Sequence, residues 1–109
     1  MKIYRGDIWL INLDPIVGSE IAKTRPAVIL SHSKYNLAAS TVTIIPISTG
    51  RFLRSFHVQL EDLKDGSHVI IPQIRVADKK RFIKKIGRIT SQEMLEIESK
   101  LLKYLDLRK

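Results

Sequence analysis

"VGSEIAKTRPAVIL", Val17–Leu30, sets a glycine, a carboxylate, two cations and a proline directly before a run of strand-forming residues. Pro26 pushes Arg25 out of the helical region into an extended conformation, so a strand is predicted from Ala27 to Leu30. Gly18 lets the preceding loop fold tightly. A guanidinium held at the mouth of such a strand presents fixed donors that match two phosphate oxygens. The competing reading is a weak structural ion pair between Arg25 and Glu20 on a surface loop. Both readings need the strand, and the strand sets the pattern for the rest of the chain.

Short β-type runs recur, with turn residues between them. Ile8 to Leu13 ends at Asp14-Pro15. Thr41 to Ser48 ends at Thr49-Gly50. Phe56, Val58 and Leu60 alternate, His68 to Ile74 follows Asp65-Gly66, and Ile86 and Ile89 flank Gly87. The predicted fold is mainly β with α: one domain over residues 1–109, a small barrel of about six strands with a C-terminal helix packed on it. In that helix Met94, Ile97, Leu101 and Leu105 form an apolar stripe, and Thr90 with Glu93 forms a capping box. Brief helical turns are expected at Ser33 to Ala39 and around Asp78 to Phe82. Pro46 and Pro72 interrupt strand patterns and belong at an edge or a bulge, where they either re-aim Ser48 and Gln73 or simply protect the sheet edge.

Composition narrows the function. The 109 residues are 44% hydrophobic and 28% charged, as in a globular domain. The absence of cysteine excludes a disulfide framework, a thiolate zinc site and a cysteine nucleophile. No signal peptide or membrane-length apolar run is present, so the chain reads as intracellular and cytoplasmic. A formal net charge of +8 favours a polyanionic partner (nucleic acid, an acidic protein or an anionic membrane surface), with nucleic acid or an acidic protein ahead of a charge that serves solubility alone. Seven cations crowd Arg75 to Arg88 against the single acid Asp78, which is read as the ion-pair partner of Arg75. A second group, Arg51, Arg54 and His57, is interleaved with Phe52 and Phe56. Cations beside rings suit single-stranded RNA, although each ring taken alone reads first as a core or dimer-interface residue. His32, His57 and His68 lie far apart with no metal-ligand spacing, so no metal or cofactor is expected. Each is read as a surface or strand residue, with His57 alone placed to touch RNA. Trp9 is read as core or interface, and Asp7 and Asp14 as turn formers.

Several ordered motifs then resemble one family. "RGDIWLINLDPIVGSEIAKTRPAVILS", "IIPIS" and "PQIRVADKKR" are similar to the signatures of the MazF/PemK toxin endoribonucleases, at compatible spacing over most of the chain. The resemblance implies an SH3-like barrel, a homodimer, metal-independent cleavage of single-stranded RNA, and inhibition by a cognate antitoxin with an acidic, partly disordered segment. It implies catalysis by Arg25 and by a hydroxyl at the end of the following strand, Ser48, with Thr49 next to it. Glu20 corresponds to the glutamate of G-S-E and stands as a base or as an orienter of Arg25. Gln73 and Arg75 correspond to the Q-I-R pair. With Lys23, Thr49, Arg51, Arg54, Phe56 and His57 they make the expected RNA-binding set. Ile21, Lys23 and Pro72 depart from the usual family residues. The rival class is a noncatalytic small barrel that binds nucleic acid or poisons gyrase by binding protein; such a module does not need Arg25 and Ser48.

Overall fold

Period-two alternation, punctuated by turns, organises most of the chain into strands. The computed structural model describes residues 1–13, 24–49, 56–63 and 66–108. In chain order the elements are β1 (Asp7–Asn12), β2 (Thr24–Ile29), α1 (Ser33–Ala38), β3 (Thr41–Ser48), β4 (His57–Gln59), β5 (His68–Ile70), β6 (Arg75–Asp78), β7 (Phe82–Arg88) and α2 (Ser91–Tyr104). Single 3-10 turns occupy Ile71–Gln73 and Lys79–Arg81. All pairings are antiparallel, in the order β4-β5-β3-β2-β1-β7, and β6 pairs with β3.

Because side chains alternate across a strand, each face of the bent sheet carries its own core. Val28, Ile45, Ile47, Val58 and Val69 point to one side, where α2 covers them with fully buried Ile97. Trp9, Ile11, Ala27, Ile29, Val42, Ile44 and Phe82 fill the other, with Trp9 and Phe82 meeting edge to face at 5.7 Å. Trp9 is therefore core, the first of the two readings its sequence context left open.

The capping box of α2 is formed. Glu93 N donates to Thr90 Oγ1 at 3.0 Å, and Thr90 N donates to Glu93 Oε1 at 2.8 Å. Of the predicted stripe, Ile97 is buried and Met94 and Leu101 pack on the core, but Leu105 caps the helix and is exposed.

Asp7 does more than shape a turn. It accepts from Tyr4 N at 2.9 Å, as a turn residue would, but its carboxylate is wholly buried and also takes Trp9 Nε1 at 3.3 Å, Arg88 Nη1 at 2.8 Å and Lys85 Nζ at 3.3 Å. The N-terminal turn, the Trp9 core and β7 thus meet on one charge.

The fold class, mainly β with a C-terminal helix, is as expected, and four details are corrected. Among the described residues the sheet has seven strands rather than about six and is not closed. The His68 to Ile74 run is not one strand, because Pro72 cannot extend a ladder and opens a 3-10 turn instead. The additional strand, β6, is charged and largely exposed, so it carries no alternating apolar signal. Pro46 lies within β3, not at an edge, but between the residues that pair with β6 and those that pair with β5. Asp78 does not pair with Arg75 among the described residues; its Oδ1 accepts from Lys80 N at 2.8 Å and caps the 3-10 turn that the sequence placed there. His32 likewise caps a helix, accepting from Lys34 N at the start of α1.

Removing the buried carboxylate strands two cations and two N–H donors. Asp7→Ala should cost about 3 kcal/mol, read as a lower denaturant midpoint with an unchanged slope.

Candidate active site

β2 and β3 pair through Ile29↔Ile44, Val28↔Ile45 and Ala27↔Pro46. The ladder stops there because the next residue of β2, Pro26, has no N–H to give across it. Continued at the same offset, the register sets Arg25 opposite Ser48. Residues opposite one another project to the same face, with Cβ atoms about 5 Å apart. That face is the one whose inner rows are Ala27 with Pro46 and Ile29 with Ile44. Arg25 is exposed and Ser48 half-buried, so the row lies at the rim of the sheet where the apolar rows end.

The row continues on the other side of the hydroxyl. Ser48 is paired with His68 of β5, and His68 with Gln59 of β4. His68 is 2% exposed and stacks on His57, with ring centroids 4.9 Å apart and planes 11° from parallel. His68 Nδ1 lies 2.8 Å from the Gly66 carbonyl oxygen. A carbonyl only accepts, so Nδ1 carries the proton. Sequence reasoning treated His68 as an ordinary strand residue, and no spacing rule could have found it. Only the pairing of β3 with β5 puts it beside Ser48.

The other candidates divide into three groups. Glu20, Lys23, Arg51 and Arg54 lie outside the described residues. Thr49, Gln73 and Arg75 are exposed. Arg75 is paired with Ile44, on the same face as Ser48 and four residues away along β3, or about 13 Å, within reach of one strand of RNA laid along the rim. Phe56 and His57 are drawn into packing: Phe56 rests on the core and meets Tyr104, and His57 is buried. The core reading of Phe56 is the one its surroundings favour.

The basic run is likewise divided. Arg81 Nη1 donates to the Asn12 carbonyl, and Lys85 and Arg88 serve Asp7. Clefts of about 400 and 380 Å³ flank α2, and neither includes Arg25 or Ser48. An exposed rim of cations and hydroxyls is the form expected of a groove for an extended polyanion, which has no need of a deep pocket.

The whole chain has the fold of known toxins. It matches, over 99% of both chains and with a TM-score of 0.89 at 22% identity, the structure described as MazE-MazF (Form-II) from Deinococcus radiodurans. A mycobacterial endoribonuclease in complex with its cognate antitoxin matches over 98% of both chains, with a TM-score of 0.81 at 20% identity. In sequence it is 32% identical over 113 residues to endoribonuclease MazF9 of Mycobacterium tuberculosis, covering 94% of this chain and 96% of the relative. Residues 4–105 match the family model for the PemK-like, MazF-like toxins of type II toxin-antitoxin systems. The chain belongs to that family.

An exposed arginine at the rim contributes little to packing. Arg25→Ala should shift folding stability by less than about 0.5 kcal/mol, measured by denaturant titration, so that any loss of activity in this variant reports on the site.

Proposed function

We propose that this chain is the toxin of a type II toxin-antitoxin pair and a metal-independent, sequence-specific endoribonuclease acting on single-stranded RNA in the cytoplasm. The observation that supports the reading is the β2–β3 offset, which, continued past Ala27↔Pro46, sets Arg25 opposite Ser48 at the rim of the sheet. Membership of the toxin family supports it, as does the relative named an endoribonuclease.

The chemistry needs no group from outside the chain. The ribose 2′-oxygen attacks the adjacent phosphorus, the 2′-O–P bond forms and the P–O5′ bond breaks, leaving a 2′,3′-cyclic phosphate and a 5′-hydroxyl. One proton leaves the 2′-hydroxyl and one reaches the departing 5′-oxygen. Arg25 is aimed at the charge that grows on the non-bridging oxygens, the place where fixed donors lower a barrier most. Its very high pKa class makes it a donor and a poor base. Ser48 donates to the same oxygens, with Thr49 beside it. Glu20 is assigned to the proton of the 2′-hydroxyl or to orienting Arg25. Gln73, Arg75, Lys23, Arg51 and Arg54 hold the flanking phosphates and bases, which positions the 2′-oxygen for in-line attack.

The partners follow from the same surface. An acidic, partly disordered antitoxin segment would compete with RNA for the cations and fold on binding. A homodimer is the proposed working form, since Leu95 on α2, Leu107 just beyond it, Val76 on β6 and Ile83 on β7 are exposed.

Purified protein should cut single-stranded RNA in EDTA and leave an all-deoxy strand intact, because the deoxy strand has no nucleophile. Cleavage that vanishes with chelator, or an uncut RNA, would refute the reading. Arg25→Ala should lower kcat by about a hundredfold or more with the fold retained. RNA affinity should also fall steeply with salt, the logarithm of the binding constant dropping by about 0.7 for each phosphate contacted per decade of salt; a flat response would remove the basic face from the interface.

A further inference from the structure

Glu93, Lys100 and Tyr104 lie at i, i+7 and i+11 of α2 and so share one side of the helix, with fully buried Ile97 between them. All three reach the β4–β5 hairpin. Glu93 Oε2 accepts from Glu61 N at 2.8 Å, just beyond β4. Lys100 Nζ donates to the His57 carbonyl at 2.5 Å while Glu96, one turn earlier, lies 3.4 Å from the same ammonium. The Tyr104 and Phe56 rings meet in a T-shaped contact, with centroids 5.4 Å apart.

The hairpin has a narrow hold on the rest of the sheet. β4 pairs with β5, and β5 joins β3 through Ile47↔Val69 and Ser48↔His68. The second of those pairs includes the hydroxyl assigned to catalysis. The position of the hairpin relative to Arg25 and Ser48 is therefore set by α2 as well as by the ladder.

We propose that Lys100 and Tyr104 are positioning residues for the RNA strand. By fixing the backbone at Phe56–His57 they hold the β4–β5 hairpin as one wall of the groove that crosses Arg25 and Ser48. Neither side chain touches the reacting atoms; each acts through the hairpin. Loss of the wall weakens capture of the strand and leaves the Arg25 chemistry in place. This proposal rests on the ribonuclease reading, and its test is arranged so that the two can fail separately.

The test pairs steady-state cleavage of a short single-stranded RNA with amide hydrogen exchange of the same proteins. Lys100→Met and Tyr104→Ala should each raise KM about tenfold, the weight of one good contact, with kcat within about twofold of the parent. Lys100→Arg and Tyr104→Phe, which keep the donor and the ring, should restore the parent KM. Amides of residues 57–59 and 68–70 should exchange faster in the Met and Ala variants, with those of 8–11 and 27–29 unchanged. Unchanged exchange in the hairpin would overturn the brace, and so would faster exchange throughout the sheet, which marks global loosening. Faster hairpin exchange with an unchanged KM would overturn its role as a substrate wall. If the parent protein cut no RNA, the ribonuclease reading would fall and this role with it, while the exchange measurement would still decide whether α2 holds the hairpin.

Discussion

The offset between β2 and β3 is the constraint on which the site depends. Side chains alternate with a period of two, so a slip of one residue would put Arg25 and Ser48 on opposite faces of the sheet. The offset is locked from both sides. Val28 and Ile45 are fully buried in the core beneath α2, and Ala27, Ile29 and Ile44 are fully buried in the other. A slip would turn both sets toward the wrong core at once. Two short apolar runs thereby fix the separation of two polar residues that lie just past their ends.

Charge in this protein has two uses, and counting basic residues in the sequence merges them. Asp7 draws Lys85 and Arg88 inward to the turn at the N-terminus, Arg81 ties β7 to the end of β1, and Arg5 reaches Glu98 on α2 at 2.7 Å. These contacts fasten the first strand to the last strand and to the helix, which are far apart in the chain. The exposed rim around Arg25 and Arg75 has the other use. The cations that a bound polyanion would meet are fewer than the formal net charge of +8 implies.

What the sequence made legible follows from which interactions are local. The capping box at Thr90 and Glu93, the short helix near Ser33, the turn at Lys79–Arg81 and the burial of Trp9 are decided within a few residues or by side-chain type alone. The extended backbone at Arg25 was legible because Pro26 constrains it directly. β6 was not, since Arg75-Val76-Ala77-Asp78 has charges at both ends and no apolar alternation, and takes strand form by pairing with β3. The partner of Asp78 was misjudged for a related reason: an ion pair with Arg75 and a cap on Lys80 N are both within reach of an aspartate, and the 3-10 turn selects the cap. His68 beside Ser48, and Lys100 on the His57 carbonyl, are contacts between elements distant in the chain; each needs the sheet order before it can be seen.

Along β3 the even-numbered residues run from core to site without a break in the pleat: Val42 and Ile44 are buried among apolar side chains, Pro46 is buried opposite Ala27, and Ser48 emerges at the rim. The row of Ser48 is thus the next row after the last apolar one, about 7 Å further along the strand. Close packing holds a core to sub-ångström tolerance because voids and overlaps both carry a cost. A row one repeat beyond it inherits most of that tolerance through the backbone, while its side chains stay open to solvent and ligand. Placement and exposure, which oppose each other for a residue inside a core, are reconciled at this position.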